Sequence, residues 1–308
     1  MTSGRSAAQA TRMLHCNLNV RSMVAAAPVY EQGLGLAVRM RTSSRGADGA
    51  AMGLPGPTDS DVWFLYDHRG GRRCPAVELV EWKSPATEGT AYDDLAAAGM
   101  QAIGFAVPSL ADTSKRLLDT GARETSRSAL ADGRVMVGAE FLDADGVRIE
   151  LVEDPSVPAP TFRYVRMNCA DLAATTGWYE AVGWQPTRSP LTVRWSDATA
   201  DVAIQPVALP ADPAFALHLT TSPEAGSPDA ANRRAHDQAH HRGLYRMALA
   251  VDDLRAAVAA ARADGRVLPG EPAYMALPGT PLGGLWVSFF TDPDGVTVEF
   301  VERPDVTR

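Results

Sequence analysis

A short charged strand that recurs limits this fold more than any other feature of the chain. TDPDGVTVEFVE (291–302) nearly repeats LDADGVRIELVE (142–153): in both, an Asp-x-Asp-Gly turn feeds a strand that carries a glutamate among β-branched and aliphatic residues. AVELVEWKSP (76–85) supplies a third such strand, and FALHLTTSP (215–223) a fourth in which His218 replaces the glutamate. Self-similarity of this kind means that small units must pair to bury a core, so the repeat comes before any choice of fold.

Each copy also has an opening strand: MLHCNLNV (13–20), QAIGFAV (101–107), RYVRMNC (163–169) and YRMALAV (245–251). Amphipathic helices are predicted near 22–34, 109–121, 171–183 and 253–265, with Asp171 and Asp253 at N-cap positions and ADG (263–265) as a stop. Short strands with turn signals follow each helix, so one unit reads βαβββ. The stretches 91–107 and 235–251 align without a gap, matching Ala91 with Ala235, Gly99 with Gly243 and Val107 with Val251. The second half therefore repeats the first. The expected organisation is a flexible N-terminus (1–11), one domain over 12–155 (modules 12–85 and 100–155) and a second over 160–304 (modules 160–223 and 243–304), with 224–242 a mobile connector.

Composition narrows the function. With 45% hydrophobic and 21% charged residues, 308 residues form two globular domains of ordinary size. A net charge of -8 disfavours nucleic acid and anionic membranes, which are bound through excess Lys and Arg. A small molecule is the expected partner. Cys16, Cys74 and Cys169 lack disulfide or zinc spacing and are expected as buried thiols. No signal h-region or long apolar run occurs, so a cytoplasmic location is expected.

The Asp-Pro-Asp-Gly-x-x-x-Glu-Phe ending (292–300), its looser counterpart at 143–151, VDDLRAAVAAARADG (251–265) and ADLAATTGWYEAVGW (170–184) together resemble the vicinal oxygen chelate superfamily of glyoxalases, bleomycin-resistance proteins and extradiol dioxygenases. The resemblance covers about residues 12–303. It implies an α+β fold of four βαβββ modules paired into two half-open mixed-sheet cups, whose concave faces hold substrate and often a divalent metal. No nucleotide cofactor is implied.

Side chains alternate along a strand, so Glu78, Glu150 and Glu299 are expected to face the cups while their apolar neighbours face helices. A carboxylate in a partly dry cleft must pair, bind metal or protonate. In the family, metal ligands come from the opening and final strands; the matching opening positions here are His15, Ala102, Tyr164 and Arg246. If modules 1 and 2 pair, His15, Glu78 and Glu150 form an N,O,O metal set of undetermined metal preference, with Glu78 and Glu150 as candidate catalytic groups, Asn17 and Asn19 on the face of His15, and Trp82 beside Glu78. The fourth position, Ala102, offers no ligand. If module 1 pairs with 4 and 2 with 3, the sets become His15, Glu78, Arg246, Glu299 and Ala102, Glu150, Tyr164, His218, neither a complete metal site.

In the C-terminal half, Tyr164, Arg166, His218, Arg246 and Glu299 are read as a metal-free, substrate-binding set, because an arginine at a ligand position repels a cation and pairs with a glutamate. The resemblance favours an isomerase or lyase acting on a small aromatic or carbonyl-containing metabolite. A metal-free ligand-binding protein of the bleomycin-resistance kind and a dioxygenase stay open, as does a monomer or a homodimer. HDQAH (236–240) mimics a zinc helix but lies in the linker before a module, and the segment 40–61 is a candidate lid over the cup.

Overall fold

The four repeats fold as separate βαβ units with extra strands. The computed structural model describes residues 9–302, apart from 72, 92–94, 126, 132, 198–200, 222–237, 268 and 278–282. Residues 1–8 of the expected flexible N-terminus, and 224–237 of the expected connector with His236, thus lie outside the described residues. Module 1 comprises β1 (Arg12–Asn19), α1 (Met23–Pro28), β2 (Ala37–Asp48), β3 (Pro57–Tyr66) and β4 (Ala76–Ser84). Module 2 runs through β5 (Gly99–Val107), α2 (Leu110–Asp119), β6 (Arg123–Glu124), β7 (Ala129–Ala131), β8 (Arg134–Val137), β9 (Ala139–Leu142) and β10 (Arg148–Glu153). Module 3 holds β11 (Thr161–Cys169), α3 (Leu172–Ala181), β12 (Gln185–Pro186), β13 (Leu191–Trp195), β14 (Val202–Leu209) and β15 (Asp212–Thr221). Module 4 adds β16 (Gly243–Val251), α4 (Leu254–Asp264), β17 (Ala273–Leu277), β18 (Gly283–Thr291) and β19 (Thr297–Glu302). No helix among the described residues is long and apolar enough to cross a membrane.

Local chemistry explains the helix boundaries. Asp171 accepts hydrogen bonds from the amides of Ala173 and Ala174, both at 3.0 Å, and Asp253 one from Ala256 at 2.9 Å. In α4, Leu254, Ala257, Val258 and Ala261 recur at helical spacing and are buried, and Gly265 ends the helix in the left-handed region. The second glutamate of each Glu-x-Val-Glu strand faces its own helix and accepts from the first-turn amide: Glu81 from Met23 (2.8 Å), Glu153 from Leu110 (2.8 Å) and Glu302 from Leu254 (2.9 Å). Half of the repeated acidic pair is thus a helix cap at the positive end of the helix dipole.

The sheets pair modules out of sequence. One sheet runs β17-β18-β19-β16-β1-β4-β3-β2 and the other β6-β9-β10-β5-β11-β15-β14-β13-β7-β8. Module 1 therefore pairs with 4, through antiparallel β1 and β16, and module 2 with 3, through antiparallel β5 and β11. The expected contiguous cups over 12–155 and 160–304 are not what the sheets form. Two equivalent asparagines tie each pair together. Asn19 donates to the carbonyls of Ala239 (2.8 Å) and His241 (2.6 Å), fixing the chain that enters β16. Asn168 donates to Leu95 (2.6 Å) and Ala97 (3.2 Å), the repeat-equivalent carbonyls ahead of β5. Each asparagine thus locks the entry of its partner module beside its own opening strand.

Sequence neighbours join differently, through the Asp-x-Asp-Gly turns. Gly146 and Gly295 close these turns at φ of 88° and 87°, a region that favours glycine. Tyr30 of module 1 donates to Asp143 (2.7 Å), and Tyr179 of module 3 donates to Asp292 (2.9 Å). Asp145 and Asp294 in turn accept from the amides of Arg21 (3.3 Å) and Ala170 (2.8 Å). Cys16, Cys74 and Cys169 are buried free thiols, as expected.

Both turn carboxylates are buried, which pushes Asp143 up to about 6 and Asp292 up to about 7. A raised carboxyl pKa contributes stability below its ordinary value of 3.8 and loses it as pH rises through the folded value. Thermal melts should therefore show stability falling as pH climbs toward about 7, with the fall blunted in Asp292→Asn. Tyr179→Phe should cost about 1–3 kcal/mol in denaturant unfolding, since it leaves a buried acceptor short of a donor.

Candidate functional site

The cup of modules 1 and 4 gathers most of the expected site. Alternation sends Cys16, Leu18 and Val20 into the helix-side core and leaves His15, Asn17 and Asn19 on the concave face. In register, Asn17 lies opposite Glu78 on β4, and His15 opposite Ala248 on β16. His15 Nε2 sits 3.3 Å from Glu78 Oε2 and 3.7 Å from Glu299 Oε2. The imidazole meets Phe64 edge-on, with ring centroids 5.4 Å apart.

Arg246 occupies the middle of this group. Its Nη2 lies 3.2 Å from each oxygen of Glu78, and its Nε 3.2 Å from Glu299 Oε2. Burial alone would raise the Glu299 carboxyl, but His15 and Arg246 outweigh it and hold the group below its ordinary value. Burial likewise opposes the charge of Arg246, and Glu78 and Glu299 more than restore it. Several polar atoms nonetheless lack aligned partners among the described residues: His15 Nε2, both amide atoms of Asn17, Arg246 Nε and Glu299 Oε2. Asn17 is fully buried.

Asn19 and Trp82, expected to bind substrate, are joined to each other and to the linker. The Trp82 indole donates to Asn19 Oδ1 (3.0 Å), while the Asn19 amide holds the linker. Trp82 packs with Leu54, Val80, Ala239 and Tyr245. The segment read as a lid is mostly the β2–β3 hairpin, yet its tip does reach the cup. Leu54 joins that cluster, and Met52 Sδ lies 3.7 Å from Arg246 Nη1. Met52 and Phe64 are site residues that the sequence did not mark, since each reads as ordinary core.

Glu150 lies in the other cup, so the expected His15, Glu78 and Glu150 triad is not formed. With β5 paired to β11, Glu150 accepts from Tyr164 OH (2.9 Å) and Arg166 Nε (2.6 Å). Gly104 leaves the space that the Tyr164 ring fills, because a Cβ there would overlap it. Tyr164 stacks on His218, centroids 4.1 Å apart at 20°. The expected Arg166 covers the Trp195 ring at 4.8 Å, and the wall carries guanidinium groups that sequence reasoning missed: Arg127 covers the same ring at 4.2 Å, and Glu140 lies 3.2 Å from Arg127 and 3.7 Å from Arg148. Burial, then Arg166 and Arg188, drive the His218 pKa down, so this imidazole is neutral.

A divalent metal does not fit either set. In the first cup a guanidinium already sits against both carboxylates, in the place a divalent cation would take, and would repel a cation beside it. In the second, Arg166 and Tyr164 saturate Glu150. No group of three or more His, Cys, Asp or Glu among the described residues is placed to hold a metal ion.

The sequence profile of the Glyoxalase/Bleomycin resistance protein/Dioxygenase superfamily matches residues 12–151 and 161–300. Among solved structures, glyoxalase I from Zea mays is similar at 20% identity and TM-score 0.66, over 94% of this chain and 92% of that one. A point variant of the maize enzyme gives 0.68 at 20% identity, over 94% and 92%. A dioxygenase-like protein from Bacillus subtilis gives 0.62 at 15% identity, over 96% and 86%. These likenesses concern the fold. Comparison with curated proteins finds no significant match.

Removing the guanidinium tests the electrostatic reading. Arg246→Met strands two buried carboxylates, which should cost about 3–5 kcal/mol in denaturant unfolding. The depressed Glu299 contributes stability above its ordinary value of 4.5 that is lost as pH falls through the folded value. In the variant, acid titration of stability should lose part of that component, since His15 still holds Glu299 down.

Proposed function

Because the chain belongs to the Glyoxalase/Bleomycin resistance protein/Dioxygenase superfamily, we propose that it acts without a divalent metal on a small carbonyl-containing metabolite in the cup of modules 1 and 4. The supporting observation is the set of buried, unaligned polar atoms on His15, Asn17, Arg246 and Glu299. The Asn17 amide costs about 1–3 kcal/mol per atom unless something meets it, and with the loosely aligned ion pairs of His15, Arg246 and Glu299 beside it, the group offers donors and acceptors to one small polar ligand. In the neighbouring cup, by contrast, Glu150 is doubly paired.

In this reading Arg246 Nε and the Asn17 amide donate to a ligand oxygen, taking the charge-stabilising part that a cation plays elsewhere. His15 removes a proton from the adjacent carbon and returns it, with Glu78 at 3.3 Å steadying the imidazolium. Phe64 and the hairpin tip with Met52 exclude water. The reaction is then of isomerase or lyase type. Each cup is complete within one chain, so a monomer suffices.

A binding protein that performs no chemistry is the second reading, favoured by the contact of Arg246 with both glutamates. Solvent exchange separates the two. EDTA-treated protein in deuterium oxide should place deuterium beside the carbonyl of small α-hydroxy ketones such as dihydroxyacetone or acetoin, followed by proton NMR. His15→Ala should slow this by about 10²–10⁴. Exchange that needs added metal, that survives in His15→Ala, or that is absent across the panel overturns the catalytic reading; saturable binding without exchange supports the binding one.

A further inference from the structure

The tip of the β2–β3 hairpin holds a reactive atom, the Met52 sulfur, that the acid–base chemistry leaves idle. Of the three nitrogens of the Arg246 guanidinium, Nε faces Glu299 and Nη2 faces both oxygens of Glu78, while Nη1 donates to the Met52 sulfur at 3.7 Å. A thioether is a weak acceptor. One end of a buried cation is thus left with the poorest of its partners, and that partner can be oxidised.

Met52 is placed to meet an oxidant. It is half-buried, at the end of the short turn Ala50–Met52 that joins the two strands. The competing reductants are shielded. Cys16, Cys74 and Cys169 are buried, and burial pushes their thiols up, Cys74 to about 12, so the peroxide-reactive thiolate is scarce. Met40, Met136 and Met275 are also half-buried, but none of them takes a hydrogen bond from a guanidinium among the described residues.

We propose that Met52 is a peroxide-modification site whose sulfoxide latches the hairpin over the cup of modules 1 and 4. The sulfur lone pair attacks one oxygen of hydrogen peroxide, the O–O bond breaks, and the departing hydroxide takes the proton left on the new S–O group. Sulfur is oxidised to the sulfoxide and the peroxide is reduced to water. Arg246 Nη1, already against the sulfur, donates toward the departing hydroxide and stabilises the charge that forms. The product oxygen is a strong acceptor, and it takes the Nη1 hydrogen in a charge-assisted bond while Nε and Nη2 keep their carboxylates. That bond ties the hairpin of module 1 to β16 of module 4. On the acid–base reading of this cup, on which the functional consequence rests, a fastened hairpin hinders exchange of substrate and slows turnover.

Full-length protein treated with dilute hydrogen peroxide and mapped by peptide mass spectrometry should gain oxygen at Met52 about tenfold faster than at Met40, Met136 or Met275. The amides of Met52, Gly53 and Leu54, which bond back to the Gly49 and Ala50 carbonyls, report opening of the tip. In the oxidised protein they should exchange with deuterium about tenfold more slowly, since one hydrogen bond to a charged group is added. Met52→Gln, whose side-chain carbonyl imitates the sulfoxide, should show this slowing without peroxide, and Met52→Leu should show none with it. A methionine sulfoxide reductase should restore the original exchange. Deuterium incorporation into the hydroxy ketones should fall on oxidation of the unmutated chain and should not respond to peroxide in Met52→Leu. Only this last readout depends on the acid–base reading; if the protein performs no exchange, the mass and amide measurements still decide the latch. Oxidation at Met52 no faster than at the other three methionines, or tip amides that exchange at an unchanged or higher rate in the oxidised protein and in Met52→Gln, overturns the proposal.

Discussion

A carboxylate that leaves water must be given a countercharge, and this chain buries carboxylates at the centre of each sheet cup. The two cups meet that demand in different ways. In one, Arg246 reaches across from β16 to both Glu78 and Glu299, so charge is neutralised between modules that are far apart in sequence. In the other, Arg166 and Tyr164 of β11 satisfy Glu150 from the adjoining module. Arginine is suited to this because its planar fork stays charged even where burial opposes it. The same choice sets the chemistry: a guanidinium polarises and orients, and it leaves no open coordination position.

Much of the fold was legible in the sequence. The four opening strands, the helices capped by Asp171 and Asp253, and the alternation that turns Glu78, Glu150 and Glu299 inward all follow from local pattern, which a strand or helix expresses wherever it lies. The pairing of modules was not legible, because it rests on Asn19 and Asn168 reaching carbonyls in distant linkers. Asparagines on a cup face read equally well as ligand contacts. That ambiguity also misplaced Glu150, since its partner depended on which module came alongside.

The repeated Asp-x-Asp-Gly turn shows why a conspicuous motif need not mark a site. Its two aspartates serve as acceptors for a tyrosine hydroxyl and for backbone amides of the preceding module. The acidic residues of the repeat thus divide their labour: turn aspartates join neighbours, the last strand glutamate caps a helix, and only the middle glutamate faces a cup. Where the halves diverge, as at His15 against Tyr164, or Ala102 against Arg246, the backbone pairing of opening strands is kept in both sheets.

The crossed pairing also orders events during synthesis. Residues 99–221 contain every strand of the inner sheet and can close it while the chain is still growing. The outer sheet is split around this insert, and β1 waits with an unpaired edge until residues 243–302 emerge. Long-range strand pairing is slow and exposes aggregation-prone edges. A ribosome stalled before β16 would therefore carry one finished sheet beside an open half-sheet.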